Sequence, residues 1–233
     1  MRAQTILSIF LLSLCGKLCA QTYEVQSPDK HITLKVSNQQ TLTYSIDFDG
    51  KTVVAASPMG FELKGEAPMC GNFTVKNDAK AVSGVEAWTP VVRNKHAECK
   101  VPYTELALVL KEKSGQYRQM DVTFRVMNDG VAFRYGLYGI PVLGSRQVTR
   151  ELTGFNVPAK SSLWIPDFAY EQDGKSYKSS QEGVFEKTPV CDIKGDIHAG
   201  LPGLIEIDRN NYLAVLEADL DNLPQVGREG SED

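Results

Sequence analysis

Apolar residues recur at every second position along most of this chain, and that periodicity constrains the fold more than any other feature. Ile32, Leu34 and Val36 fall on one face of HITLKVS, and Leu42, Tyr44, Ile46 and Phe48 on one face of TLTYSIDF. Successive side chains of a strand point to opposite sides, so this pattern predicts half-buried strands. Asp49-Gly50 follows immediately, a favourable two-residue hairpin turn because Gly adopts positive φ without steric cost. Lys51–Ala55 reads as the return strand. Leu106, Leu108 and Leu110 share a face in YTELALVL. Val122, Phe124 and Val126 precede Asn128-Asp129-Gly130, and Val131, Phe133 and Tyr135 follow it. Near the C-terminus, LPGLIEID and NYLAVLEA flank the polar Asp208-Arg209-Asn210. No window of eleven or more residues carries a 3.6-residue apolar stripe. Short strands joined by Gly, Asn and Asp turns predict an all-β chain, a large antiparallel β-sandwich.

One segment breaks the rhythm. Asp167–Gly183, DFAYEQDGKSYKSSQEG, is polar and rich in Gly and Ser, between the strand-like SSLWIP and VFEKTPV. A long polar loop in a β domain is either functional or mobile, and composition does not separate the two.

The first 20 residues read as a targeting segment. Arg2 gives a short positive start, Ile6–Leu14 is apolar, and Ala20 precedes the polar QTYEVQSPD. That is the three-part pattern of a secretory signal. The apolar run falls short of the about 20 residues that span a bilayer. The reading divides the chain into a signal peptide, 1–20, and a β-sandwich domain, 21–233. Cleavage leaves 213 of the 233 residues and, with Arg2 and Lys17 removed, takes the formal charge from −4 to −6. A weakly acidic chain with no basic run argues against nucleic acid as a partner, since phosphate binding relies on clustered Lys and Arg. Cys70, Cys99 and Cys191 remain, with no metal-binding spacing. They read as one optional disulfide or as three buried thiols.

Catalytic signatures are scarce. His31, His96 and His198 are scattered, without triad or metal-ligand spacing, and no nucleophile elbow, phosphate loop or zinc motif occurs. Two carboxylates can hydrolyse a glycoside, but spacing along a β chain does not set their separation. Trp88 and Trp164 are either sugar-stacking platforms or ordinary core aromatics, and the core reading is the better one for each.

Several segments, taken in order, resemble the N-terminal domain of glycoside hydrolase family 97. YEVQSPDKHITLKV is similar to the family's opening strand, and LTYSIDFDGKTVVAASPMGFEL to the hairpin that follows. Trp88-Thr89-Pro90-Val91 resembles its W-x-P-V, Tyr103-Thr104-Glu105-Leu106 its Y-N-E-L, and Trp164-Ile165-Pro166 its W-I-P. Most specific is Phe124–Tyr135, FRVMNDGVAFRY, similar to the family's F-R-x-x-N-D-G-x-x-F-R-Y. Thr104 replaces the Asn of Y-N-E-L, and two further places depart from the pattern. Pro102 stands where the family has a His before Y-N-E-L, and Leu216-Glu217-Ala218 replaces its H-E-A.

The resemblance implies a galactose mutarotase-like sandwich, incomplete at its C-terminal end, packed on a catalytic (β/α)₈ barrel that lies outside this chain. It implies a secreted, periplasmic or extracellular α-glucosidase or α-galactosidase acting on α-linked oligosaccharides. It also implies a Ca²⁺ at the interface of sandwich and barrel, with one Glu ligand from the loop after W-I-P. Glu171 is the counterpart, as the first Glu after that motif, and Glu182 is its rival at the loop's far end. No catalytic residue falls within the chain. The competing expectation is a non-catalytic sandwich that binds carbohydrate or a partner by itself, with Trp164 as its platform.

Overall fold

The computed structural model describes residues 21–93, 95–137, 147–166, 184–193 and 201–218. Strands β1 (Thr22–Gln26), β2 (Ile32–Asn38), β3 (Leu42–Phe48) and β4 (Lys51–Pro58) form an antiparallel meander in sequence order. The β3–β4 hairpin turns at Asp49-Gly50, both at positive φ (49° and 74°), the two-residue geometry whose twist matches that of the flanking strands. β2 alternates strictly between buried and half-buried positions, with Ile32, Leu34 and Val36 inward. In β3 the alternation holds for Leu42 and Tyr44 and then fades, leaving Phe48 exposed. Register shifts against β4 interrupt the ladder around Ile46.

The chain continues through the short β5 (Phe61–Leu63) into a second sheet of β6 (Phe73–Val75), β7 (Val82–Trp88), β8 (Cys99–Glu112), β9 (Gln119–Met127) and β10 (Val131–Gly136). Its order is β10-β9-β8-β6, and β7 pairs with the first half of the long β8. β11 (Val148–Glu151) pairs back with β5. A third sheet contains β12 (Ser162–Pro166), β13 (Phe185–Pro189), β14 (Gly203–Asp208) and β15 (Asn211–Val215), in the order β13-β12-β14-β15. The described residues include no helix long and apolar enough to cross a membrane.

The core lies between the first two sheets. Leu34, Val36, Leu42 and Tyr44 meet Leu106, Leu108, Leu110, Val122 and Phe124, all almost fully buried. Fully burying one such side chain contributes about 1.5–3 kcal/mol. Phe133 joins the sheets through its ring, 5.7 Å from Tyr44 and 6.0 Å from Phe124 between centroids. The Tyr44 hydroxyl donates to the Gly154 carbonyl (2.8 Å), and burial pushes its acidity well down. The Tyr135 hydroxyl accepts from the Gly60 N–H (3.2 Å) and shares a hydrogen bond with Thr153 (2.7 Å). Burial raises the Tyr135 pKa to about 12. Gly60 is required there. Its φ is +131°, and a Cβ would stand 2.2 Å from the Met69 carbonyl oxygen.

The third sheet and the segment that leads into it are tied to this body at several points. Asn156 bridges to Ala55 on β4, Leu213 packs against the core, and Lys51 on β4 pairs with Asp208 in the β14–β15 turn. Asp208 also accepts from the Asn210 and Asn211 N–H groups and from Asn211 Nδ2. The Lys51 ammonium, with those donors behind it, holds the Asp208 carboxyl well below the usual carboxylate range.

Candidate functional site

The segments that carried the resemblance divide into scaffold and surface. In FRVMNDGVAFRY, Phe124 and Phe133 are cross-strand neighbours and point inward. Arg125 points outward, where its Nε donates to Glu105 (2.7 Å) and its Nη1 to Glu86 (2.8 Å). Its guanidinium lies 4.5 Å from the centroid of the Tyr103 ring. Glu105 in particular holds Arg125 charged. That ring covers Gly84 across the strand pair, and a Cβ there would stand 2.5 Å from it. Tyr103 and Glu105 belong to Tyr103-Thr104-Glu105-Leu106, so one motif clasps the other across β8 and β9. Asn128 in the hairpin turn accepts from the Asp29 N–H (3.2 Å), joining that turn to the one between β1 and β2. The most specific motif in the chain therefore builds the sandwich.

The W-I-P segment has a different setting. Trp164 lies on β12, between Lys187 of β13 and Leu204 of β14. An apolar slot of about 510 Å³ opens beside it, lined by Trp164, Phe185, Pro202, Gly203, Leu204 and Ala214. Pro166 and Phe185 are paired at this end of the sheet and form the stems of the segment between β12 and β13. Gly203 and Val215 are paired at the same end. Trp164 Nε1 is buried and has no hydrogen-bond partner, so what its ring offers to solvent is carbon.

Glu171 and Glu182 lie outside the described residues, as does the proposed signal segment 1–20. Among the described residues, no three His, Cys, Asp or Glu side chains converge to hold a metal. His31 sits at the mouth of the β1–β2 turn, with Nδ1 2.5 Å from Asp49, and that carboxylate raises its pKa. It links two hairpins, and no nucleophile stands against it. The three described cysteines are free. Cys191 is exposed and the other two are partly covered, so three buried thiols is not the arrangement found. Trp88 is also not a core residue. It lies on β7 with 47% of its surface exposed, because β7 stands at the margin of the second sheet and buries neither face.

The described residues thus form an antiparallel sandwich whose most specific motifs serve its own strands, with an apolar slot beside Trp164. The chain belongs to the Glycosyl-hydrolase 97 N-terminal family, whose profile matches residues 25–228. It is 24% identical to a retaining alpha-galactosidase of Bacteroides thetaiotaomicron over 241 aligned positions, covering all of this chain and 34% of that protein. A probable retaining alpha-galactosidase of Streptomyces bingchenggensis is 26% identical over 180 positions, or 77% of this chain and 25% of its own length. Among solved structures, a family 97 enzyme from Pseudoalteromonas sp. strain K8 in complex with panose superposes with a TM-score of 0.66 at 27% identity. That match covers 79% of this chain and 26% of the enzyme. A beta-arabinopyranosidase superposes at 0.69 with 25% identity, over 82% of this chain and 31% of that one. The chain thus spans about a third or less of the length of these relatives.

Proposed function

We propose that this chain is the N-terminal sandwich portion of a secreted, calcium-dependent α-glycosidase, packed on a (β/α)₈ barrel that carries the catalytic carboxylates. The observation that supports this reading most is the match of residues 25–228 to the family's N-terminal domain, with the whole chain aligning to 34% of a retaining alpha-galactosidase. Two curated relatives with that name favour a terminal α-galactoside as substrate over an α-glucoside. A retaining glycosidase places a nucleophile and an acid–base carboxyl about 5–5.5 Å apart across the scissile bond. In this reading both belong to the barrel, and the sandwich borders the active-site face. Its contribution is Glu171, one oxygen ligand among the six to eight that Ca²⁺ takes, with Glu182 as the rival. The described residues do not form a calcium site by themselves, so in this reading the other ligands come from beyond them. Residues 1–20 direct export to the periplasm or beyond and are removed ahead of Gln21.

The test uses nitrophenyl α-galactoside and α-glucoside. The polypeptide with its downstream barrel hydrolyses the galactoside faster, loses activity to a chelator, and is impaired by Glu171→Gln more than by Glu182→Gln. The 233-residue chain alone turns over neither substrate. Chelator-sensitive hydrolysis by that chain alone would refute the reading.

A further inference from the structure

The strands of the third sheet differ in pattern from those of the first two. β2 and β9 alternate apolar and polar residues, as strands with one wet face do. In the third sheet the apolar residues run consecutively: Leu163-Trp164-Ile165 in β12, Leu204-Ile205 in β14, and Tyr212-Leu213-Ala214-Val215 in β15. Consecutive apolar residues mark strands covered on both faces. The described residues cover one face only. Ile205 and Ile207 are buried and Leu213 packs on the core, while Phe185, Leu204, Tyr212 and Ala214 stand exposed on the other side. The outer faces of all three sheets carry ion pairs, Lys35–Asp47 on the first, Arg125–Glu105 on the second and Lys187–Glu206 on the third, but only the third adds a run of exposed apolar side chains. The exposed valines of β7, Val82 and Val85, point to opposite sides of their strand and make no continuous patch.

The geometry points to the outer face of the third sheet, centred on the slot between Trp164, Phe185, Leu204 and Ala214, as the surface against which the downstream part of the same polypeptide packs. This rests on the glycosidase reading above and names which face of the sandwich meets the rest of the enzyme. Three observations select this occupant. The residues lining the slot are apolar and its buried indole nitrogen is not offered outward, so the slot itself has no side-chain donor or acceptor to orient a sugar hydroxyl. An apolar protein side chain needs none. Secondly, the relatives extend well beyond the matched region, this chain spanning 34% of the Bacteroides enzyme. Thirdly, Val215 pairs with Gly203, so the chain leaves its last described strand at the end of the sheet where the slot opens. The Lys187–Glu206 pair (2.7 Å) crosses the same face, Lys187 beside Trp164 and Glu206 beside Tyr212, and bounds the slot on its polar side.

Leu204→Cys places a thiol in the slot, and Val91→Cys, at a fully exposed loop position, serves as reference. Maleimide labelling, resolved by peptide mass spectrometry so that the native cysteines do not interfere, is compared in the 233-residue chain and in the polypeptide extended by its downstream part. The expected result is comparable labelling of both sites in the short chain. In the extended polypeptide Leu204→Cys labels at least about tenfold more slowly, as befits an interface core that excludes water, and Val91→Cys is unchanged. Ala214→Cys, a mild change in the same slot, repeats the measurement without touching Leu204. Equal rates at the slot in both forms overturn the inference. So does slowing in the short chain that grows with its own concentration, which assigns the face to a second copy, or slowing by added galactose or maltose, which assigns it to carbohydrate. Activity measured on the same samples separates this from the broader reading. An active enzyme with a fast-labelling slot refutes only the interface, and an inactive polypeptide with a protected slot refutes only the glycosidase reading.

Discussion

Arg118 offers a sharp test of what holds the described sheets in register. Its guanidinium is 4% exposed and engages Glu112 with two nitrogens, Nε to Oε2 at 2.8 Å and Nη2 to Oε1 at 2.5 Å. Nη1 donates to Glu66 Oε2 (3.0 Å) and to the Ala67 carbonyl (2.9 Å). One side chain therefore fastens the β8–β9 hairpin to the segment that follows β5. Arg118→Met fills much of the same space and removes the charge, leaving carboxylates 10% and 16% exposed without their shared cation. Breaking a buried pair from one side costs about 3–5 kcal/mol, because the remaining charge stays desolvated. A domain is stable by only about 5–15 kcal/mol in total. At a urea m-value of ~2 kcal/mol per molar, a loss of about 3 kcal/mol lowers the midpoint by about 1.5 M. Arg118→Lys keeps the charge and loses the two-pronged geometry, so its loss is smaller, about 1–2 kcal/mol. The pH dependence gives the sign. Arg118→Met removes the cation that Glu112 and Glu66 share, a loss felt only while the carboxylates are ionised. The deficit is then largest at neutral pH and shrinks as pH falls through the carboxylate range. A loss under about 1 kcal/mol, or a deficit that deepens on acidification, refutes the argument.

Further outcomes follow from turns and exposed pairs. Gly50 and Gly60 both have positive φ, but a Cβ at Gly50 meets nothing within 4 Å, whereas one at Gly60 meets the Met69 carbonyl at 2.2 Å. Thermal unfolding of the two Ala variants should separate them, with about 1 kcal/mol lost at Gly50 and more than about 3 kcal/mol at Gly60; equal losses mean that the backbone at Gly60 relaxes freely. An NMR titration of His31 should place its midpoint above 6.5 in the folded chain, and Asp49→Asn should bring it down. The pair's stabilisation is fully present below the unfolded value near 6.5 and is lost as pH rises through the folded value. A midpoint indifferent to Asp49→Asn removes Asp49 as the cause.

Much of the fold was legible because strand alternation and turn chemistry are local. Leu106, Leu108 and Leu110 declare an inward face whatever they pack against, and Asp49-Gly50 sets its hairpin within two residues. What escaped depends on neighbours distant in sequence. β7 reads as nothing in particular because neither face is buried, and Trp88, which composition would place inside, is held outside by that same strand. Arg118 looks like a surface residue until Glu66, 52 positions earlier, is brought beside it. The motif that identified the family gave no hint that its arginine would clasp Tyr103 and Glu105 rather than meet a ligand. The carboxylates expected to ligate calcium belong to a segment whose sequence is polar and without period, the kind of stretch from which no local rule extracts geometry.

The third sheet joins these two lines of reasoning. Read for alternation alone, LPGLIEID and NYLAVLEA yield half-buried strands, and Ile205, Ile207 and Leu213 satisfy that description. The remaining apolar residues, Trp164, Leu204, Tyr212 and Ala214, are then surplus to the core that the described residues form. A strand with one wet face has no use for them, and placing them in water forgoes the roughly 25 cal/mol per Å² that burial contributes. The same side chains are accounted for if the sheet is an inner layer, covered on one side by the sandwich and on the other by protein that follows. The surplus is thus a property of sequence and structure together: the pattern calls for a second cover, and among the described residues it is the outer face that has none.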